Sequence, residues 1–171
     1  NDDVATFSAA ALAALVTPGA DEPVIVTLNG SATGAVLTTG DVAVKSQGKN
    51  VLYRVDGGDV VGFADDDGSG TFTSGDREVF RLTDNKDGTL TFDLDDQLDH
   101  ANGGDLSTLT LDLTGAFKAT DFDGDAVTLN ADSIRVVVEN DVPAPNSEAT
   151  ASIKVYEDAL GQGTAETTGD L

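Results

Sequence analysis

Apolar residues recur at every second position along most of this chain, and that period constrains its fold more than any other feature. Leu90, Phe92 and Leu94 alternate with Thr91, Asp93 and Asp95. Leu109, Leu111 and Leu113 alternate with Thr110, Asp112 and Thr114, and Ile134, Val136 and Val138 with Arg135, Val137 and Glu139. A period of two turns one set of side chains to a core and the other to water, which is the pattern of a half-buried strand. Residues 24–28, 42–44, 51–55, 60–63, 79–82, 126–129 and 149–156 are further candidate strands. Between the segments stand turn signals: Asn29-Gly30, Asp56-Gly57-Gly58, Asp87-Gly88, Asn102-Gly103-Gly104 and Asp123-Gly124. Short strands at this spacing predict an all-β fold, an antiparallel β-sandwich of the Ig-like or Greek-key type. At most one short helix belongs to it, near the N-terminus over residues 9–16. Ser8 is its N-cap and Pro18 lies beyond its end, and it reads as a surface helical turn.

The charge is as uneven as the hydropathy is regular. Thirty-one acids face nine Lys and Arg, a net charge of −22 in 171 residues, and twenty-five of the acids are Asp. Asp favours turns, caps and oxygen cages for hard cations, whereas Glu favours helices. A charge of this sign argues against nucleic acid or an anionic membrane as partner, because both are bound through Lys and Arg. The chain has no Cys and a single His, His100, which excludes thiolate metal sites, disulfides and a His pair on a catalytic metal. It also has no Met, so the sequence is expected to be a segment of a longer polypeptide. No apolar run approaches the roughly 20 residues of a membrane span, and membrane insertion is not expected. With 39% hydrophobic residues in register the chain is expected to fold, provided a cation relieves its self-repulsion.

Three acidic signals stand out. From Asp65 as position 1, Asp67 falls at 3, Ser69 at 5, Gly70 at 6, Thr71 at 7 and Asp76 at 12, with Phe72 at the apolar eighth place. That is the ligand spacing of an EF-hand calcium loop, including the glycine of its sharp turn. Two departures mark it: Asp76 stands where a bidentate Glu is usual, and the flanks are strands rather than helices. It reads as an EF-like calcium loop inside a β-hairpin, against the plainer reading of a solvated acidic loop. The second signal, Asp121-Phe122-Asp123-Gly124-Asp125, sets three carboxylates on one side of an extended turn with Phe122 toward the core; a hydrogen-bonded Asp-Gly turn is the alternative. The third is Glu139-Asn140-Asp141 before Pro143, where a last strand leaves the domain. Asp93, Asp95, Asp96 and Asp99 beside His100 read as strand-face and loop acids, not as a catalytic carboxylate pair. The expectation is that the protein is not an enzyme.

An ordered series of segments resembles a known family. Glu78-Val79-Phe80-Arg81-Leu82-Thr83, then Asp87-Gly88-Thr89-Leu90-Thr91-Phe92, Leu98-Asp99-His100, Ala119-Thr120-Asp121-Phe122-Asp123-Gly124-Asp125 and Val136-Val137-Val138-Glu139-Asn140-Asp141-Val142-Pro143 are similar to the repeat domains of giant bacterial RTX adhesins exported by type I secretion. Val155-Tyr156-Glu157-Asp158-Ala159-Leu160 resembles the opening strand of such a repeat, and Asn1-Asp2-Asp3-Val4 echoes Asn140-Asp141-Val142-Pro143. The resemblance implies a calcium-stabilised module over residues 1–141. A Pro-containing linker and the first strand of a following repeat (or a strand returning to the module) would occupy 142–171. It implies a secreted, extracellular location at the bacterial cell surface, with cell adhesion and biofilm as the setting. It also implies Ca2+ bound at Asp121, Asp123 and Asp125 and at Asn140 and Asp141, with neighbouring repeats as partners. The alternative function is a calcium-dependent domain that binds a glycan or protein ligand. Residues 1–50 stand outside the pattern.

Overall fold

The computed structural model describes residues 4–17, 24–100, 107–121 and 123–140. The fold is all-β and antiparallel, as the alternation predicts. Its largest sheet has seven strands: β1 (Val4–Phe7), β3 (Thr33–Ala35), β5 (Lys45–Ser46), β6 (Lys49–Asp56), β7 (Asp59–Ala64), β8 (Arg77–Asp84) and β9 (Leu90–Leu94). The order across it is β1-β9-β8-β7-β6-β3, with β5 also on β6. Strands β6 to β9 follow one another as hairpins, and β1, reached by a long connection, lies beside β9. That arrangement is a Greek key. Two three-stranded sheets complete the fold. One joins β4 (Leu37–Thr38), β10 (Thr108–Asp112) and β13 (Arg135–Glu139); the other joins β2 (Ile25–Leu28), β11 (Phe117–Thr120) and β12 (Ala126–Val127).

One core is shared by these sheets, which is what makes the fold a sandwich. Val51, Val60, Phe80, Leu82 and Phe92 of the large sheet lie in the same buried cluster as Leu111, Val136 and Phe117 of the smaller ones and Ile134 just before β13. Full burial of each large apolar side chain contributes about 1.5–3 kcal/mol. Phe80 and Phe92 stack with ring centroids 5.1 Å apart. The close fit at Phe80 depends on Gly62 opposite it, since a Cβ there would stand 2.2 Å from the Phe80 ring. At the same point the β7–β8 register shifts, and Val79 is taken up as a bulge whose carbonyl accepts from both Asp95 and Asp96 N–H.

Several expected elements change length. The helix, α1, runs only Ala9–Ala13. Ser8 caps it as expected, its hydroxyl accepting from Ala11 N–H at 3.2 Å. It ends early because Leu15 N–H turns back to Leu12 O, a tighter closure than the helical one. Leu12 is its one buried residue. The strand expected at 42–44 is a single bridge from Ala43 to Leu37, with Val42 exposed and Val44 buried. The strand expected at 126–129 shortens to Ala126–Val127. Residues 1–50, unplaced by pattern, supply β1 to β5. The linker and strand expected within 142–171, the turn at 102–104 and Phe122 lie outside the described residues.

Candidate metal centre

The loop at 65–76 closes the β7–β8 hairpin, so strands flank it as the sequence predicts. Asp65, Asp67 and Asp76 each offer a carboxylate oxygen, and the three lie within 4.8 Å of one another. Oxygens bound to one hard cation at about 2.4 Å stand at most about 4.8 Å apart, so the spacing suits a metal ion. The loop's own backbone holds the acids in place. Gly70 N–H donates to both Asp65 oxygens at 3.2 Å, from a backbone with φ of +73° that favours glycine. Asp67 accepts from Ser69 N–H at 2.9 Å and from the Thr73 hydroxyl at 3.0 Å. Asp76 accepts from Asp66 N–H at 3.0 Å and from Thr73 N–H at 2.7 Å. The Ser69 hydroxyl donates to the Thr71 carbonyl at 2.8 Å, so the oxygens of positions 5 and 7 are neighbours in the same turn. Hydrogen bonds from Ser69 and then Thr73 hold the Asp67 carboxyl below the usual carboxylate range. It therefore stays ionised and ready to ligate.

Sequence reasoning missed the residues that brace this loop. Arg77 donates from Nε to Asp66 at 2.9 Å and from Nη2 to the other Asp66 oxygen at 3.2 Å. Its Nη1 also bonds Asp96, and the Lys49 ammonium donates to the Asp66 carbonyl at 2.7 Å. The Asp66 carboxyl is pulled below its ordinary value chiefly by the Arg77 hydrogen bond. Asp66 thus points to a guanidinium while its neighbours Asp65 and Asp67 converge on the cluster. The signal was a lone Arg directly after position 12, in a chain with nine basic residues. On the other side, Phe72 packs edge-on to Phe63 at 5.3 Å and lies under the Arg54 guanidinium at 4.2 Å.

Asp121, Asp123 and Asp125 form a second cluster within 4.8 Å, at the turn between β11 and β12. Asp125 N–H donates to the Asp121 carboxylate at 2.7 Å, and Gly124 N–H to the Asp121 carbonyl at 3.2 Å. Both sequence readings therefore meet here: the Asp-Gly turn is hydrogen-bonded, and its carboxylates converge as well. A hydrogen bond from Asp123 holds Asp121 below the usual range, while that bond and repulsion from Asp121 push Asp123 above it. A cation at this turn would offset the repulsion between the two carboxylates.

The third expected site is described only in part. Asn140 follows β13, and its N–H donates to Ser107 O at 2.9 Å, while Asp141 lies outside the described residues. The acids near His100 are engaged structurally. Asp99 accepts from Gln47 N–H at 2.9 Å and Gly48 N–H at 2.7 Å, and Asp96 binds Arg77. Desolvation, then repulsion from Asp93 and Glu78, raises the Asp95 carboxyl. The Nδ1 of His100 is buried with no hydrogen-bond partner among the described residues. The chain matches no protein-family model, no curated protein and no solved structure.

Proposed function

We propose that this chain is a calcium-binding structural module of a large secreted bacterial surface adhesin. It supports cell adhesion and biofilm by contributing to a stiff, extended chain of domains. The observation that carries the reading is the 65–76 loop, which brings Asp65, Asp67 and Asp76 within 4.8 Å on a β-hairpin. The ligands are all oxygen and the chain carries −22, so a hard dication suits both the site and the field around it. Extracellular modules bind calcium at about 10⁻⁴ to 10⁻³ M, which suits a protein that meets calcium only outside the cell. The role is non-catalytic, and the partners are calcium and the neighbouring repeats, with Asn140 and Asp141 at the join.

Small-angle scattering on two copies in tandem tests the rod. The maximum dimension is expected to be longer and sharper in millimolar calcium than in chelator. A profile indifferent to calcium, with both copies folded, refutes the stiffening role. One observation favours a second reading, a calcium-dependent glycan- or protein-binding domain. Phe72, 40% exposed, stands on the same loop as the carboxylates. A glycan array run in calcium separates the two, and a clear sugar hit selects the second.

A further inference from the structure

Strand β3 lies at the edge of the large sheet. Val55 N–H donates to Ala32 O at 3.0 Å and Val36 N–H to Val51 O at 2.9 Å, which fixes the phase of its ladder with β6. In an antiparallel pair with that phase, Ala32, Gly34 and Val36 turn their backbone groups toward β6, and Thr33 and Ala35 turn theirs away. Both outward residues are exposed, and among the described residues no strand pairs with that side. Natural edges are commonly blunted by Lys, Pro, a bulge or shortness. Thr33-Gly34-Ala35 has the last of these and none of the others.

A groove of about 570 Å³ opens beside this edge. Ala35 is opposite Leu52, and Leu52 is opposite Phe63, so these three share the outer face of the sheet. Phe72 of the 65–76 loop, also on the lining, stands edge-on to Phe63. We propose that this groove and the free edge of β3 together bind an extended peptide strand, with basic residues flanking an apolar one. The strand pairs with the Thr33 and Ala35 backbone, about 4.8 Å outside β3. Its alternate side chains then fall on the same face as Ala35, where the small Ala35 leaves the apolar groove open to one of them.

Charge selects the occupant. Arg54, the one basic residue on the lining, is already paired with Asp56 at 2.8 Å, while Asp65 stands on the wall, and a chain of −22 keeps the field here negative with or without a dication on the loop. A second copy of the chain would bring another −22 to this edge, so a basic peptide is favoured over self-association. The proposal rests on the edge and the groove, not on a bound ion, and goes beyond the structural role above.

The test uses the full chain, isotopically labelled, and a capped heptapeptide Thr-Lys-Thr-Phe-Thr-Lys-Thr, whose two Lys residues lie on the same strand face as its Phe. Addition of the peptide is expected to shift the Thr33, Ala35 and Phe72 amide resonances. Methylating the peptide nitrogens that face β3 is expected to weaken binding about tenfold or more, the effect of one or two net hydrogen bonds. Ala35→Pro removes an outward N–H without touching the ladder to β6, and is expected to act alike; Phe72→Ala, at an exposed site, is expected to weaken binding through the groove wall. Equal binding of the methylated peptide, or of a scrambled one with its Lys residues in a block, overturns the proposal in favour of bare charge attraction. So does the lack of any shift at Thr33 and Ala35 at millimolar peptide. A dimer that Ala35→Pro dissolves, with no peptide bound, overturns it in favour of a second copy.

Discussion

Calcium should raise the melting temperature by an amount that the number of clusters sets. Two groups of three carboxylates are present among the described residues, at Asp65, Asp67 and Asp76 and at Asp121, Asp123 and Asp125. A ligand that binds only the folded state stabilises it by RT ln(1 + [L]/Kd). At 10 mM calcium and a Kd of about 10⁻³ to 10⁻⁴ M, each site contributes about 1.4–2.7 kcal/mol. Two sites together give about 3–5 kcal/mol, which for a chain of this size is about 6–20 °C. Differential scanning calorimetry in calcium, against chelator with NaCl added to equal ionic strength, reads the shift free of simple screening. Asp67→Ala is expected to retain about half of it, and Asp67→Ala with Asp123→Ala none. Coincident curves in calcium and in matched NaCl would refute the reasoning, because the acids would then be relieved by screening alone.

Three further outcomes follow from particular contacts. Gly62→Ala drives a Cβ into the Phe80 ring at 2.2 Å and is expected to cost about 1–3 kcal/mol, read as a lower urea midpoint at unchanged slope; an unmoved midpoint contradicts the packing described here. Arg77→Met is expected to lower the melting temperature at neutral pH. Because the folded Asp66 carboxyl is held below its ordinary value, the contribution is present above about pH 4 and fades as pH falls through the folded value, so the gap to wild type should close in acid. A gap that persists at pH 2 points instead to lost packing of the Arg77 stem. Finally, the raised Asp123 carboxyl implies that metal binding at that turn releases protons in mildly acidic buffer and not at neutral pH, seen as a binding enthalpy that varies with the buffer's ionisation heat in acid alone. Identical enthalpies in acetate and in an amine buffer argue that no shared proton is displaced.

The parts of this fold that were legible in sequence are those where one face is wet. In β13 the alternation of Val136 with Arg135 maps directly onto buried and exposed faces, and in β9 Phe92 is buried where Asp93 is half-exposed. Strand β7 was harder to delimit because Val60, Val61 and Phe63 are all buried, so period two disappears into a continuous run. Strands β3, β4 and β5 are two or three residues long, and Thr-Gly-Ala or Lys-Ser has no hydrophobic pattern to read. They exist because backbone groups at Val36, Val44 and Val51 bond one another, a long-range fact that local pattern does not encode. The 65–76 loop was legible because ligand spacing is itself local. Its brace was not, since Arg77 reaches Asp96 across another turn and Lys49 comes from β6.

The strand order also separates load from chemistry. Tension entering at the N-terminal end of the described chain first meets β1, which is held to β9 by four residue pairs, Val4 with Asp93 through Phe7 with Leu90. Tension from the other end first meets β13, held to β10 by five pairs, Thr108 with Glu139 through Asp112 with Arg135. Neither ladder contains a carboxylate of the two clusters, and the 65–76 loop hangs from the β7–β8 hairpin in the interior of the sheet. Filling that loop with a cation therefore leaves the first bonds to shear unreinforced. Under a pull, the mechanical strength of the module is set by two short zippers at its margins, and calcium at the hairpin governs only what remains folded after they part.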